Sequence, residues 1–555
     1  GSNVLIKGVT FKNFSFSMGG AVLWNGDKGT LDSCTFVNNV ADIGGGVYWG
    51  GDSGSVKSSI FMNNVAKGNV SGKGGGAFYW NGANGSLSDC NFVNNTSNWN
   101  AAGVYWLGIN GTLFNSNFTG NFAKASGGGI MWAAANGNLN NCNFNNNSAI
   151  SYGGGVSWGG ASGTLSDCNF ISNAVTSHDG GAIFWSGVKG TIKRSTFTNN
   201  TANSVGGAIV IYSGINCTVK DSTFTNNKAL IHGGAIFWRE GNNGVIINCN
   251  FTGNTAVYAG GAVYWSSTTS KATVTKCNFK NNKITGTAMS NGGAVYWAGA
   301  DGTLTESTFI NNTSKNMGGA VYWDGVDGAL SGSIFSNNSA GNSGGAIYWN
   351  GTNGILASSN FSGNSANTDG GGVYWSSANG AIINSTFINN NANNYGGAIC
   401  WYGVTGSIFD CNFSNNHANF GGGVFWGSAD GNLNNSTFTN NNANFGGAIS
   451  WYGANGIIFS STFINNIATR HGAAIQFAGV NGTINSSTFI DNTANGYGGA
   501  VYWQSANSNM SNCNFTNNHA TNGDNVFWIW TVEEFLNKYN QINDYDYVQI
   551  KNGVG

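Results

Sequence analysis

A phenylalanine returns about every 26 residues along almost the whole chain, and few folds can accommodate that. Phe11, Phe36, Phe61, Phe92, Phe118, Phe144, Phe170, Phe197, Phe224 and Phe251 lead the first ten units. Phe279, Phe309, Phe335, Phe361, Phe387, Phe413, Phe438, Phe463, Phe489 and Phe515 lead the next ten. Three residues after each stands an Asn in 19 of 20 units, Phe14 being the exception. A small-residue motif follows, such as Gly318-Gly319-Ala320-Val321-Tyr322-Trp323, and it closes on Trp in 18 units, with Ile211 and Phe477 substituting. A single core stops growing beyond ~250–300 residues, yet these 555 residues show no linker and no shift in composition before residue 529. A repeat escapes the limit by growing along one axis. With 20 Trp, 19 Tyr and 35 Phe, the chain is far too rich in core-forming residues for disorder.

Each unit reads as two or three short strands between Gly and Asn turns. β-branched and aromatic residues alternate with small polar ones, and 89 Gly rule out helical solenoids. One strand carries the Trp motif. A turn such as Asn84-Gly85 or Asp327-Gly328 follows, and a second strand runs from Gly302-Thr303-Leu304 into Phe309. A strand-turn coil that stacks on itself is a parallel β-helix. The expected fold is therefore all-β, a right-handed parallel β-helix of about 20 coils of about 25–27 residues, spanning 1–528. Residues 529–555 should form a C-terminal cap, with Thr531-Val532-Glu533-Glu534 opening a short helix through about Asn540. Asn residues stacked coil on coil should hydrogen-bond along the axis and supply left-handed turns.

The residue after Gly-Gly-Ala or Gly-Gly-Gly is apolar and should face inward with the Trp two places later. The place between them varies (Tyr48, Ser157, Phe184, Gln476, Tyr502), as an outward position would, and 13 of 20 units put Tyr or Phe there. Its longest aromatic stretch, Tyr264, Tyr296, Tyr322, Tyr348 and Tyr374, is the candidate binding face. Longer inserts at 65–74 and 268–290 both fall at the corner just before the Gly-Gly motif.

Gly-Gly-Ala-(Val/Ile) followed by Phe-x-x-Asn resembles the chlamydial polymorphic outer-membrane protein repeat. The fuller Tyr-Trp and Ser-Thr-Phe-x-Asn-Asn-x-Ala pattern is similar to adhesin-like surface proteins of methanogenic archaea. The resemblance covers residues 5–528 and implies a right-handed β-helix with an adhesive or structural role at the cell surface. It brings no catalytic residue with it.

Other chemistry is sparse. A formal charge of -1 argues against nucleic acid, and no apolar run is long enough to span a membrane. No signal peptide begins the chain, which reads as a segment of something longer. Eight Cys (Cys34, Cys90, Cys142, Cys168, Cys249, Cys277, Cys411, Cys513) stand two places before the repeat Phe, where most other units have Ser. They read as an inward small-residue column rather than a disulfide framework. His178, His232, His417, His471 and His519 sit in separate coils without metal-ligand spacing. Asp301, Asp324 and Asp327 are the best acidic cluster, but Asp before Gly is first a turn residue. Sequons such as Asn84, Asn110 and Asn117 are candidate glycosylation sites.

The chain is thus expected to be a non-enzymatic extracellular adhesin or surface stalk. It should have no metal and no cofactor, and no membrane insertion by this segment. Its partner would be a glycan or protein on another cell, or a second copy. Two alternatives stand beside this: a self-assembling subunit of a cell-surface layer or filament, and a β-helical polysaccharide lyase or hydrolase.

Overall fold

The computed structural model describes residues 2–266, 271–287, 290–505, 507–531 and 547–551. By internal contact density the chain divides into two units, Gly1–Thr285 and Gly286–Gly555. Each is a stack of coils of one design. In the second unit a coil holds four strands: Thr303–Thr305, Thr308–Ile310, Thr313–Ser314 and Val321–Trp323. Each pairs in parallel and in register with its equivalent one coil on: Leu304↔Leu330, Phe309↔Phe335, Ser314↔Ala340 and Trp323↔Trp349. The first unit repeats the scheme with Leu87↔Leu113, Phe92↔Phe118, Ser97↔Ala123 and Trp80↔Trp106.

The strand expected to run unbroken from Gly302 to Phe309 is two strands. Glu306 breaks it at φ 48°, and Asn311 makes the next corner at φ 54°. Each left-handed residue lets its flanking strands both present side chains inward, so Leu304, Ser307, Phe309, Asn312 and Ser314 are all buried. The left-handed residue is thus the one before the ladder Asn, not the ladder Asn itself. Asn311 turns the chain while Asn312 points into the core.

Inside, identical residues form columns. Phe309 stacks on Phe335 at 4.7 Å, and Trp323 on Trp349 at 4.7 Å, each within 4° of parallel. Fully burying such a ring is worth roughly 1.5–3 kcal/mol. The Asn ladder runs beside them. Asn338 donates its backbone N–H and its side-chain N–H to Asn364 Oδ1, both at 3.0 Å, and gives its other amide proton to Phe309 O at 3.0 Å. No polar atom of that buried amide is left unmatched, which is why Asn persists in the column.

All ten cysteines are free thiols, nine of them buried. The column before Phe is shared by Ser and Cys as expected, each donating to a carbonyl two residues back: Ser333 Oγ to Ser331 O at 3.0 Å, Cys411 Sγ to Phe409 O at 3.1 Å. Most indoles find a carbonyl two residues on, as Trp323 Nε1 does with Gly325 O at 3.1 Å. A Cβ at Gly325 would run into the Gly299 carbonyl of the previous coil, so only glycine lets the chain pass so close there. Among the described residues five buried indoles are left without a partner; four of them (Trp132, Trp238, Trp375, Trp426) have Ala, Glu or Ser in that place, and Trp451 is the fifth.

The last described coil does not stop at Trp528: its strand Val526–Thr531 continues and pairs in parallel with Tyr547–Lys551. The helix expected through about Asn540 lies outside the described residues. Among the described residues no helix is long and apolar enough to cross a membrane.

Candidate functional site

The strand Val321–Trp323 has Val and Trp buried and Tyr322 half-exposed, and its equivalents at Tyr296, Tyr348 and Tyr374 repeat that pattern. Period-two alternation thus puts the tyrosines outside and the tryptophans inside, as expected. Four of the five singled-out tyrosines come together in the second unit. Tyr296, Tyr322, Tyr348 and Tyr374 stack at centroid spacings of 4.9, 5.1 and 4.8 Å, within 10° of parallel. Tyr264 belongs to the first unit, where it stacks on Phe237 at 5.2 Å and on the His232 ring at 4.6 Å. Burial pushes the His232 imidazole down to about 4, so that ring is neutral.

The stacking changes what the row offers. Each ring face is covered by its neighbour, so a ligand meets ring edges and phenol oxygens rather than open aromatic faces. Burial raises the Tyr322 phenol, helped by Asp324 and Tyr348, and raises Tyr374, helped by Cys400. Burial also raises Tyr348, against a hydrogen bond with Ser376. These phenols keep their protons across the physiological range, so each is both donor and acceptor.

A polar rim follows one edge of the row. Tyr296 Oη donates to Asp324 Oδ2 at 3.4 Å, Asn350 Nδ2 to Asp324 Oδ1 at 2.7 Å, and Ser376 Oγ to Asn350 Oδ1 at 2.8 Å. A second rail stands at the corner leading into these strands, with Asn342 Nδ2 on Asn316 Oδ1 at 3.3 Å and Thr368 Oγ1 on Asn342 Oδ1 at 2.5 Å. Of the rail residues only Asp324 was singled out in the sequence, as part of an acidic cluster, although each rail recurs at a constant offset, one directly after Trp and one two places before Gly-Gly.

Asp369 closes the row. Burial raises its carboxyl above the ordinary range, against the backbone N–H of Tyr395, and its Oδ1 is buried with no hydrogen-bond partner. Beyond it the column before Gly-Gly turns aromatic: Tyr395, Phe420, Phe445, His471 and Tyr497. Tyr395 packs on Phe425 at 4.4 Å, and His471 on Tyr502 at 4.8 Å. Under this cover the outer column is closed, with Cys400 and Ser450 at 0% exposure and Gln476 at 3%.

The other candidates sort simply. Asp301 and Asp327 take left-handed turn positions at φ 51° and 55°, and Asn353 donates to Asp327 Oδ1 at 2.9 Å. No group of His, Cys, Asp and Glu suited to a metal occurs among the described residues. Of the inserts, Gly72 in the first lends its carbonyl to Tyr79 Oη at 3.2 Å, while part of 268–290 lies outside the described residues. Asn84, Asn110 and Asn117 are exposed and already joined to like amides.

A sequence profile described as "Right handed beta helix region" matches residues 75–234, 154–296 and 371–531. The Chlamydia polymorphic membrane protein repeat matches residues 306–322 and 332–348. Comparison with curated proteins finds no match, so the expected kinship with archaeal adhesin-like proteins gains nothing from it. Similar solved structures include an alginate lyase, AlyF-OU02, 12% identical over 73% of this chain and 77% of the lyase, TM-score 0.34. A tailspike of E. coli bacteriophage HK620 in complex with a hexasaccharide is 11% identical over 94% of this chain and 73% of the tailspike, TM-score 0.27. The PL6 family alginate lyase AlyGC is 9% identical over 94% of this chain and 97% of its own, TM-score 0.25. These likenesses are of fold and carry no site residue across. They do correct one expectation. The sequence reading excluded an enzyme, and that exclusion does not stand, because β-helices similar to this chain include lyases.

Proposed function

This chain belongs to the right-handed β-helix family, and on that premise we propose that it binds an extended glycan along the tyrosine row of its second unit, outside the cell. The observation that carries the reading is the row itself: four phenols at a constant advance of about 5 Å, flanked by Asp324, Asn350 and Ser376. A polymer with a comparable advance per sugar would meet the same donors and acceptors at each step. Hydroxyls and amides fixed on a rigid sheet lose little entropy when they are engaged. The glycan bound by the similar tailspike is consistent with this.

The test is retention on insoluble polysaccharides and whole cells, comparing the parent with Tyr322→Phe/Tyr348→Phe/Tyr374→Phe. That variant keeps the stack and removes only the hydroxyls. Loss of retention at least tenfold supports the row as the site; unchanged retention, or none by the parent, sinks it. A second reading, cleavage of the bound glycan, has Asp369 in its favour. A carboxyl whose hold on its proton is strengthened by burial, at the end of a sugar track, has the character of a general acid. Sugar released by the parent and not by Asp369→Asn would support cleavage; release by both, or by neither, removes it.

A further inference from the structure

The formal charge of -1 hides a division. Residues 1–285 carry 17 Lys and Arg against nine Asp and Glu, and residues 286–555 carry four against 13, so the first unit is +8 and the second −9. The first unit's excess is concentrated further: ten Lys and Arg but only two acids fall between residues 189 and 283. Successive Phe rings there advance by 4.8, 4.8 and 4.7 Å from Phe197 to Phe279. Neighbouring coils therefore lie within one Debye length at physiological salt, about 8 Å, and their charges act together.

The two signs occupy the same side of the repeat. In the first unit Lys189 takes the left-handed turn before the strand that leads toward Phe. Lys193 and Lys220 stand at the outer end of that strand on successive coils, as direct register partners. Like charges placed directly opposite are destabilising, and neither lysine is in an ion pair. In the second unit the same turn position is filled by Asp301, Asp327 and Asp430, all exposed. A shallow depression opens beside Asp430, lined also by Thr405, Asn455 and Ile457.

We infer that this face makes the chain self-associating: the basic coils around Lys193 and Lys220 dock on the acidic turns of a second copy's second unit. The net charges of the two units, +8 and −9, nearly cancel, a complementarity that an arbitrary anionic polymer would not need to share. The contact is heterologous, two different patches meeting, so it can propagate from copy to copy. It does not rest on the glycan reading, which is carried by the tyrosine row.

Sedimentation velocity on the full chain tests it at about 0.01 M salt, where the Debye length is ~30 Å, and at about 1 M, where it is ~3 Å. The expected result is a mass at least twice the monomer's at low salt and monomer at high salt. Lys193→Ser/Lys220→Ser and Asp301→Asn/Asp327→Asn, which neutralise one face each, should each stay monomeric alone, and an equimolar mixture should form a one-to-one dimer through the surviving native pair of faces. Far-ultraviolet circular dichroism confirms that both variants fold. Monomer at both salts overturns the inference. So does association that survives 1 M salt, or a mixture that stays monomeric. Capture of a sulfated polysaccharide or of DNA by the parent, without self-association, overturns it in favour of a polyanion.

Discussion

Within the second unit the same outer column has two fates. From Tyr296 to Tyr374 it is an open row of stacked phenols; from Cys400 to Tyr502 it is covered. The strands, their register and the buried Trp beside them do not differ in kind. The column before Gly-Gly does. It reads Asn291, Met317, Ser343 and Asp369 beside the open row, and Tyr395, Phe420, Phe445, His471 and Tyr497 beside the closed one. The two columns share one volume above the sheet. Where the corner residue is large, the strand residue beneath it is small or shielded; where the corner is small or unbranched, a tyrosine stands clear. A surface on a solenoid is therefore set by pairs of columns, and neither column foretells it alone.

The largest expected effect should be blind to this difference. Asn364 lies in the open stretch and Asn441 in the covered one, each with the same ladder bonds. Changing either to Ala strands two amide protons of the coil before it, and should cost about 3 kcal/mol in urea unfolding. Unequal losses would show that the two stretches differ in their core as well as outside it. Next, Ser450→Tyr forces the open row's residue under the aromatic cover, where its Oγ now bonds Gln476 Oε1 at 3.0 Å. Overpacking should cost roughly 1–3 kcal/mol, and a stability equal to the parent's would mean the cover is loose.

A smaller pair of effects depends on pH. Burial raises Asp369 in the fold, so its contribution is fully present below the ordinary carboxylate value and is lost as pH rises through the raised one. Burial, then Arg470, lowers His471, so its contribution is present above the ordinary imidazole value and lost as pH falls. Urea midpoints across pH should therefore flatten on the alkaline side of the carboxylate range in Asp369→Asn, and around neutral to mildly acidic pH in His471→Gln. Profiles unchanged from the parent's would remove titration from the account of this seam. Smallest of all, Tyr348→Phe should change stability by at most about 0.5 kcal/mol, since only an edge hydroxyl and its bond with Ser376 are lost. A larger loss would mean that the rim holds the row in place.

Much of this molecule could be read from residue spacing. The Phe, Asn, Ser/Cys and Trp columns, their inward facing and the outward tyrosines follow from alternation and identity along a short strand. The charge division was equally open to reading, but a balance taken over all 555 residues conceals it. Two local features were misread. A continuous strand was drawn across Glu306, because a left-handed residue that is neither Gly nor Asn leaves little trace. The turn was assigned to Asn312 when Asn311 makes it, because adjacent Asn residues look alike until one is buried.

By itself, then, the sequence determined the coil, its period and the column to which each side chain belongs, since these depend on neighbours a few residues away. The tertiary structure decided what the outer column presents. It turned the tyrosines edge-on by stacking each on the next coil's ring, shut Cys400 and Ser450 beneath rings at the corner of the coil, and left Asp369 Oδ1 buried without a partner. Exposure, ring orientation and proton affinity are sums over groups about 25–28 residues apart in the chain, and no window along a strand contains those groups.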